Sequence, residues 1–520
     1  MLNSVANQLT ANSVRFGAKE ALVEYDSSPE GGGARRSVTY ADLVLAGENL
    51  AKLLKVQLAK SPASSRVAML AGNTIECHVF YLACAILGAT AVPINNSFTP
   101  SEIRQVLQST RPGSLWFQPA YSLNAYKAVA PVYRKVALIP LPTLDKLLAT
   151  SLSSSPPPLL PSTKEENTSK VLHRHWAILH TSGSTSGRKK GVIRNQFGTI
   201  AGILIHQAAL KLSEKDVYLA IWPSYGISTF FFTFGLLYLG GTTVLVNAEL
   251  GANANQSWQV LQRERVTFTT GSPLQFENWL ELASSPTVLR VVLLSGSVVG
   301  DSLSEEICRV FPEACSVLEA YGSTECGLIS LRDHRDVKSK GVGIEPPGLP
   351  QAKICPSTGE IMVNTSSPMF MNGYVHFTHH NRSTAGWFRT GDVGERDLLT
   401  GQLVLLGRAD SRISLPTGHD LYPEEVEVVL RDVLPMGVGL VVTFAKNQLV
   451  GVLSTENEED EGGDGERALL VRNLRELAEE RLSPNKRPAR YEFVRTRDVP
   501  LTTTMKVKRK ELQTVMSARL

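Results

Sequence analysis

The sequence predicts an α/β protein with a large N-terminal part of mostly parallel sheets in several layers and a small α+β part at its C-terminal end. Two observations carry this. Short β-branched or apolar runs alternate with helix-patterned segments through most of the chain, and after about residue 407 that alternation gives way to closely spaced strands.

Taken in order, "SRVAMLAG" precedes "ECHVFYLACAILG", and "ATAVPI" precedes "SEIRQVLQST". Further on, "VTFTTG" precedes "LQFENWLELASS", and "LRVVLLSG" precedes "DSLSEEICRVF". Each pair reads as a strand feeding a helix, the unit from which parallel sheets are built. Residues 227–246, "ISTFFFTFGLLYLGGTTVLV", are uncharged and of membrane-spanning length, yet Gly240 and Gly241 divide them into a buried helix and a strand. No integral membrane span is expected. Residues 151–170 have the Pro/Ser/charge composition of an exposed linker. The domain limits are set at 1–407 and 408–520, with "GLVVTFA" and "QLVGVLST" as strands of the second part. The acidic run at 456–466 reads as a solvated loop and not as a metal site.

With 520 residues, 43% of them hydrophobic and 20% charged, the chain has the balance of a soluble globular protein. A net charge of +4, with no basic arm interleaved with aromatics, excludes nucleic acid as the expected partner. The 6 cysteines lack CxxC pairing, which fits reduced thiols in an intracellular compartment, and the N-terminal residues do not read as a secretory signal.

Chemistry enters at "HTSGSTSGRKKGV", residues 180–192, where glycine N–H groups stand among hydroxyls and lysines in a pattern suited to phosphate oxygens. It is not a P-loop, because the spacing of Gly183 and Gly187 is too short and no Ser or Thr follows a lysine. Taken alone, the segment reads equally as a Ser/Gly hairpin turn.

Downstream lie "LEAYGSTECG", "WFRTGDVG", "GRADSRI" and "LTTTMKVKRKEL". In this order, together with "SVTYADL" and "AVPINNSFTPSEI", the segments resemble the adenylate-forming superfamily of acyl-CoA synthetases, aryl-CoA ligases, peptide-synthetase adenylation domains and luciferases. The resemblance implies a large adenylation domain and a small mobile domain, with ATP and a carboxylic acid meeting between them. The acid would become an acyl adenylate, and the acyl group would pass to the thiol of CoA. An adenylating amide synthetase or carrier-protein loader is the alternative within the enzymes, and a nucleotide-binding sensor the alternative outside them.

By the same resemblance Thr181, Ser182, Gly183, Ser184, Thr185, Gly187 and Lys190 would hold the β- and γ-phosphates. Thr324 would contact the α-phosphate, Glu325 would carry magnesium, and Tyr321, with Gly322 and Gly296, would border the nucleotide. Asp392 would accept from the ribose hydroxyls, with Arg408 as a second contact, and Asp410 would be the hinge of the small domain. Lys506 would bridge the acyl carboxylate and the α-phosphate, while Trp222, Tyr225, Phe230 and Ala320 would line an acyl pocket for an aromatic or medium apolar acid. Simpler roles stand beside these. Thr324 and Glu325 would also suit a helix N-cap, Asp392 a turn, the aromatics ordinary core, and "KVKRK" a solvated tail.

The sequence departs from the family pattern at an extra Ser186, at Lys189 in place of proline, at Ser414 and Met505 in the mobile domain, and at Pro223 in place of histidine. Gly418 matches the glycine that opens the pantetheine tunnel, which suits CoA as acceptor. Ala518-Arg519-Leu520 fits a peroxisomal address read by an import receptor, placing the protein in the peroxisome if the source is eukaryotic and in the cytoplasm otherwise.

Overall fold

The computed structural model describes residues 2–26, 34–61, 64–129, 136–149, 168–181, 190–280, 282–283, 287–336, 338–339, 341–375, 383–415, 420–435, 437–455, 464–501 and 507–520. Two large sheets organise the N-terminal part. One has 8 strands, in the spatial order Gly327–Asp333, Ser316–Ser323, Val291–Ser295, Phe268–Gly271, Val217–Ala220, Thr242–Val246, Glu20–Tyr25 and Arg35–Thr39. Its inner pairs are parallel and its two outermost pairs antiparallel. The other has 7 strands, with Arg66–Leu70 and Thr90–Ile94 at its parallel centre and the hairpin His175–His180 / Gly191–Asn195 toward one edge.

Each strand–helix pair expected from the sequence is present, for the reason the pattern suggested. The helix Ile75–Leu87 follows the strand Arg66–Leu70 and buries residues all round its circumference, as a helix packed between two sheets must. The run at 227–246 divides as expected into the helix Ile227–Leu239 and the strand Thr242–Val246. Gly240 makes the division: it caps the helix at φ +91, and a Cβ there would lie 2.4 Å from the Phe16 ring. Among the described residues no helix is long and apolar enough to cross a membrane.

Within the N-terminal part, parallel pairing gives way to antiparallel before residue 407. Lys353–Ile354, Glu360–Asn364, Ser383–Thr384, Trp387–Arg396 and Leu403–Arg408 form a third sheet of 5 strands in which every pairing is antiparallel. The cause is connection length, because tight turns such as those at Gly359 and Gly401, with φ of +68 and +72, can join only antiparallel neighbours.

Beyond Arg408 the chain forms a smaller unit with its own core, including Leu421, Val426, Leu430, Val442, Leu453 and Leu474. Its sheet has 3 strands, Gly439–Ala445, Gln448–Thr455 and Arg490–Arg495. The final helix, Arg509–Arg519, is fastened to the helix Pro423–Leu430 by Arg509, whose guanidinium donates to both carboxylate oxygens of Glu427 at 2.7 and 2.8 Å. The C-terminal tripeptide is part of this unit. Leu520 packs half-buried against the cluster containing Met516, and Arg519 donates to the Phe493 carbonyl at 3.0 Å. Of the expected linker at 151–170 and solvated loop at 456–466, residues 151–167 and 456–463 lie outside the described residues, while 168–170 and 464–466 instead begin the helices Thr168–Leu172 and Asp464–Arg481.

Candidate active site

The glycine-rich segment joins two antiparallel strands, and its mouth is closed by Thr181 N–H donating to the Lys190 carbonyl at 3.1 Å. Residues 182–189, which include Ser182, Gly183, Ser184, Thr185, Ser186, Gly187 and Lys189, lie outside the described residues. Lys190 at the mouth places its ammonium 5.6 Å from the centre of the Tyr374 ring.

Tyr374 links this mouth to the "YGSTE" motif. Its hydroxyl donates to Glu325 Oε1 at 2.8 Å, and the Glu325 carbonyl accepts from Met371 N–H at 2.8 Å. Thr324 and Glu325 stand on the turn of a β-hairpin, Ser316–Ser323 to Gly327–Asp333, and not at a helix start. Cys326 N–H donates to Ser323 Oγ at 3.1 Å across that turn. Behind it lies Arg194, 1% exposed, whose Nη1 donates to the Met369 carbonyl at 2.7 Å. Burial pulls its pKa down to about 10, while neighbouring Cys326 and Glu325 favour its charged form.

Tyr321 links the same hairpin to the "RTGD" and "GRAD" motifs. Its buried hydroxyl donates to Asp392 Oδ2 at 2.8 Å, and Arg408 Nη1 donates to Asp392 Oδ1 at 2.7 Å. Asp392 and Arg408 are register partners on adjacent strands, so the sheet itself sets this pair. Burial, and then the Asp392 charge, push the Tyr321 hydroxyl well above its ordinary pKa. Burial alone would lower the Arg408 pKa, but Asp392 and then Asp410 outweigh it and hold the guanidinium charged. Asp410 accepts from Arg408 Nε at 3.4 Å, which puts the expected hinge next to the expected ribose contact.

Ser295 pairs with Ala320, which sets Gly296 beside the Tyr321 strand. Gly296 has φ +96, and a Cβ there would meet nothing within 4 Å, so the space beside Gly296 is open. Gly322 itself is closely packed, with a Cβ position 2.3 Å from the Gly327 carbonyl oxygen.

The aromatics expected to line an acyl pocket separate. Tyr225, with Pro223 and Ser224, borders a small cavity of about 10 Å³ whose other walls include Gly72, Asn73 and Asn96. Burial and the nearby Tyr121 raise the Tyr225 hydroxyl to about 12. Trp222 packs half-buried against the core around Trp258, Phe276 and Trp279, and its carbonyl accepts from Thr229 Oγ1 at 2.7 Å. Phe230 is fully buried, with ring centres 4.7 Å from Trp176 and 5.1 Å from Tyr81. It belongs to the core, because it lies on the helix Ile227–Leu239, which is buried on nearly every side.

Lys506 and Met505 lie outside the described residues, between Leu501 and Val507, which pair across the gap. The neighbouring lysines belong to the next element. Lys508 caps the helix Arg509–Arg519 and contacts Glu511 at 3.2 Å, and Lys510 lies within that helix. Gly418 lies outside the described residues, and of Ser414 only the backbone is described, in a short strand paired with Asp420.

Sequence reasoning missed Tyr374, Arg194, Asn73 and Asn96. Tyr374 sits in "MNGYV", which carries no motif and reaches Glu325 only through strand pairing with Val192. Among the described residues no three His, Cys, Asp or Glu side chains cluster to hold a metal. One carboxylate is nevertheless a suitable protein share for magnesium carried mainly by phosphates and water, and Glu325 offers a hard oxygen beside Thr324.

The profile of the AMP-binding enzyme family matches residues 9–375, and the chain belongs to this family. The 2-succinylbenzoate–CoA ligase of Bacillus pumilus is 28% identical over 497 residues, covering 89% of this chain and 90% of its own. The indoleacetate–CoA ligase of Aromatoleum aromaticum is 28% identical over 421 residues, covering 76% of this chain and 78% of its own. Among solved structures, the o-succinylbenzoate CoA synthetase of Bacillus subtilis with its acyl-adenylate intermediate superimposes with a TM-score of 0.77 at 23% identity, over 98% of both chains.

Proposed function

We propose that this protein is an AMP-forming acid:CoA ligase acting on an aromatic or medium apolar carboxylic acid. The observation that carries the reading is the pair of links through one hairpin, Tyr374 to Glu325 and Tyr321 to Asp392, which joins the phosphate loop to the ribose motif. Relatives of similar length that are named CoA ligases support CoA as the acceptor.

In the first step a carboxylate oxygen of the acid attacks the α-phosphorus of ATP, and the bond to pyrophosphate breaks. No protein nucleophile is required, so this chain's contribution is placement and charge. The loop at 181–190 holds the β- and γ-phosphates, Thr324 donates a hydrogen bond and Lys506 brings positive charge to the α-phosphoryl oxygens, and Asp392 fixes the ribose. Glu325 would hold magnesium together with phosphate oxygens, and the ion would add further neutralisation of the phosphate charge. In the second step the CoA thiol, losing its proton, attacks the acyl carbon and AMP departs.

The acceptor is tested by incubating protein, ATP, magnesium and a reactive acid with CoA or with simple amines, then weighing the products. A CoA thioester is expected. An amide formed in preference to the thioester would transfer the reading to an amide synthetase, and an adenylate that neither acceptor discharges would contradict the second step. An import receptor reading Ala518-Arg519-Leu520 would first have to unpack Leu520 from the small domain.

A further inference from the structure

We propose that Glu319 is a positioning residue that sets the arch over the nucleotide slot, holding it through its own side chain and through His334. This rests on the nucleotide site proposed above. Glu319 lies on the strand Ser316–Ser323, two residues before Tyr321, and its side chain is 3% exposed. Its Oε1 accepts from the buried Val299 N–H at 3.2 Å. Its Oε2 lies 3.1 Å from Nε2 of His334, whose side chain is fully buried.

The placement of these contacts gives them their effect. Residues 295–299 leave the sheet where Ser295 pairs with Ala320 and return where Val299 meets Glu319. Both feet of the arch therefore stand on consecutive residues of the strand that carries Tyr321 and Gly322 and leads into the turn with Thr324. Between the feet is Gly296, with φ +96 and open space where its Cβ would be. One foot is fixed by backbone pairing, and among the described residues the other is fixed by the Glu319 carboxylate. The backbone of His334 is tied to the same strand, its main-chain N–H donating to the Val317 carbonyl at 2.9 Å, and its fully buried ring stands beside the carboxylate. Without the carboxylate, a buried N–H loses its acceptor and the arch is free to shift over the slot.

Glu319→Met keeps the volume and removes the acceptor, whereas Glu319→Gln keeps an acceptor for Val299 and a donor for His334. Calorimetric titration with ATP alone, without acid, should show Kd weakened roughly tenfold in Glu319→Met and near the parent value in Glu319→Gln. At saturating ATP the turnover of Glu319→Met should remain within about threefold of the parent, so the change falls on KM and not on kcat. His334→Leu leaves Val299 bonded but frees the carboxylate, and should weaken ATP binding by a smaller factor; this variant decides the matter if Glu319→Met does not fold. Unchanged ATP affinity in a folded Glu319→Met, or in His334→Leu when Glu319→Met does not fold, would overturn the proposal, as would Glu319→Gln performing no better than Met. A parent protein that binds ATP but activates no acid would refute the ligase reading while leaving the affinity comparison standing.

Discussion

Replacing Lys506 with alanine should lower acid-dependent pyrophosphate release by on the order of a hundred- to a thousandfold, while acyl transfer to CoA from a supplied acyl adenylate continues near the parent rate. The expectation follows from where charge develops. As the bond to pyrophosphate breaks, negative charge spreads over the α-phosphoryl oxygens, and a cation that arrives with the small domain stabilises this state more than bound ATP. Lys508 and Lys510 cannot substitute, because both are built into the start of the helix Arg509–Arg519, with Lys508 beside Glu511. In the second step the leaving group is AMP and the attacking atom is sulfur, so that position no longer needs the lysine. Equal loss of both half-reactions would remove Lys506 from this role, and so would a comparable loss in Lys508→Ala.

Asp392→Ala should raise the KM for ATP by on the order of a hundredfold, with a smaller effect on the KM for the acid. The carboxylate already accepts from Tyr321 through Oδ2 and from Arg408 through Oδ1. A carboxylate has about four acceptor positions, so two remain for the ribose hydroxyls. Alanine removes these and also leaves the buried Tyr321 hydroxyl without its acceptor, which costs about 1–3 kcal/mol of stability. Asp392→Asn keeps an oxygen for one donor but loses the charge facing Arg408, and should fall between the parent and alanine. Thermal melting separates the two contributions. A lowered Tm with unchanged ATP affinity would make Asp392 a strut between Tyr321 and Arg408 and no part of the nucleotide site.

Much of this architecture was legible because it depends on local pattern. The helix Ile75–Leu87 and the strand Thr90–Ile94 follow from periodicity and a glycine stop, and the long apolar run at 227–246 divides at Gly240. The antiparallel sheet at 353–408 was not foreseen, because its shortest strands span only 2 residues and carry no readable period. The motifs named Glu325, Asp392 and Arg408, but they could not show that Tyr374 and Tyr321 join them, since such contacts depend on register between distant strands. Phe230 went the other way. An aromatic close to a motif looked like a pocket wall, and only the packing of Tyr81, Trp176 and Phe234 around it reveals core.

The central claim is that one site, assembled around the Tyr321–Glu325 hairpin, activates a carboxylic acid by cleaving ATP at its α-phosphorus. The most direct test is release of pyrophosphate from ATP and magnesium by the full chain against a panel of aromatic and medium-length apolar acids, with the nucleotide product identified. The account predicts AMP and pyrophosphate in equal amounts, formed only when a suitable acid is present. ADP and phosphate as products, or tight ATP binding with no pyrophosphate from any acid, would contradict it.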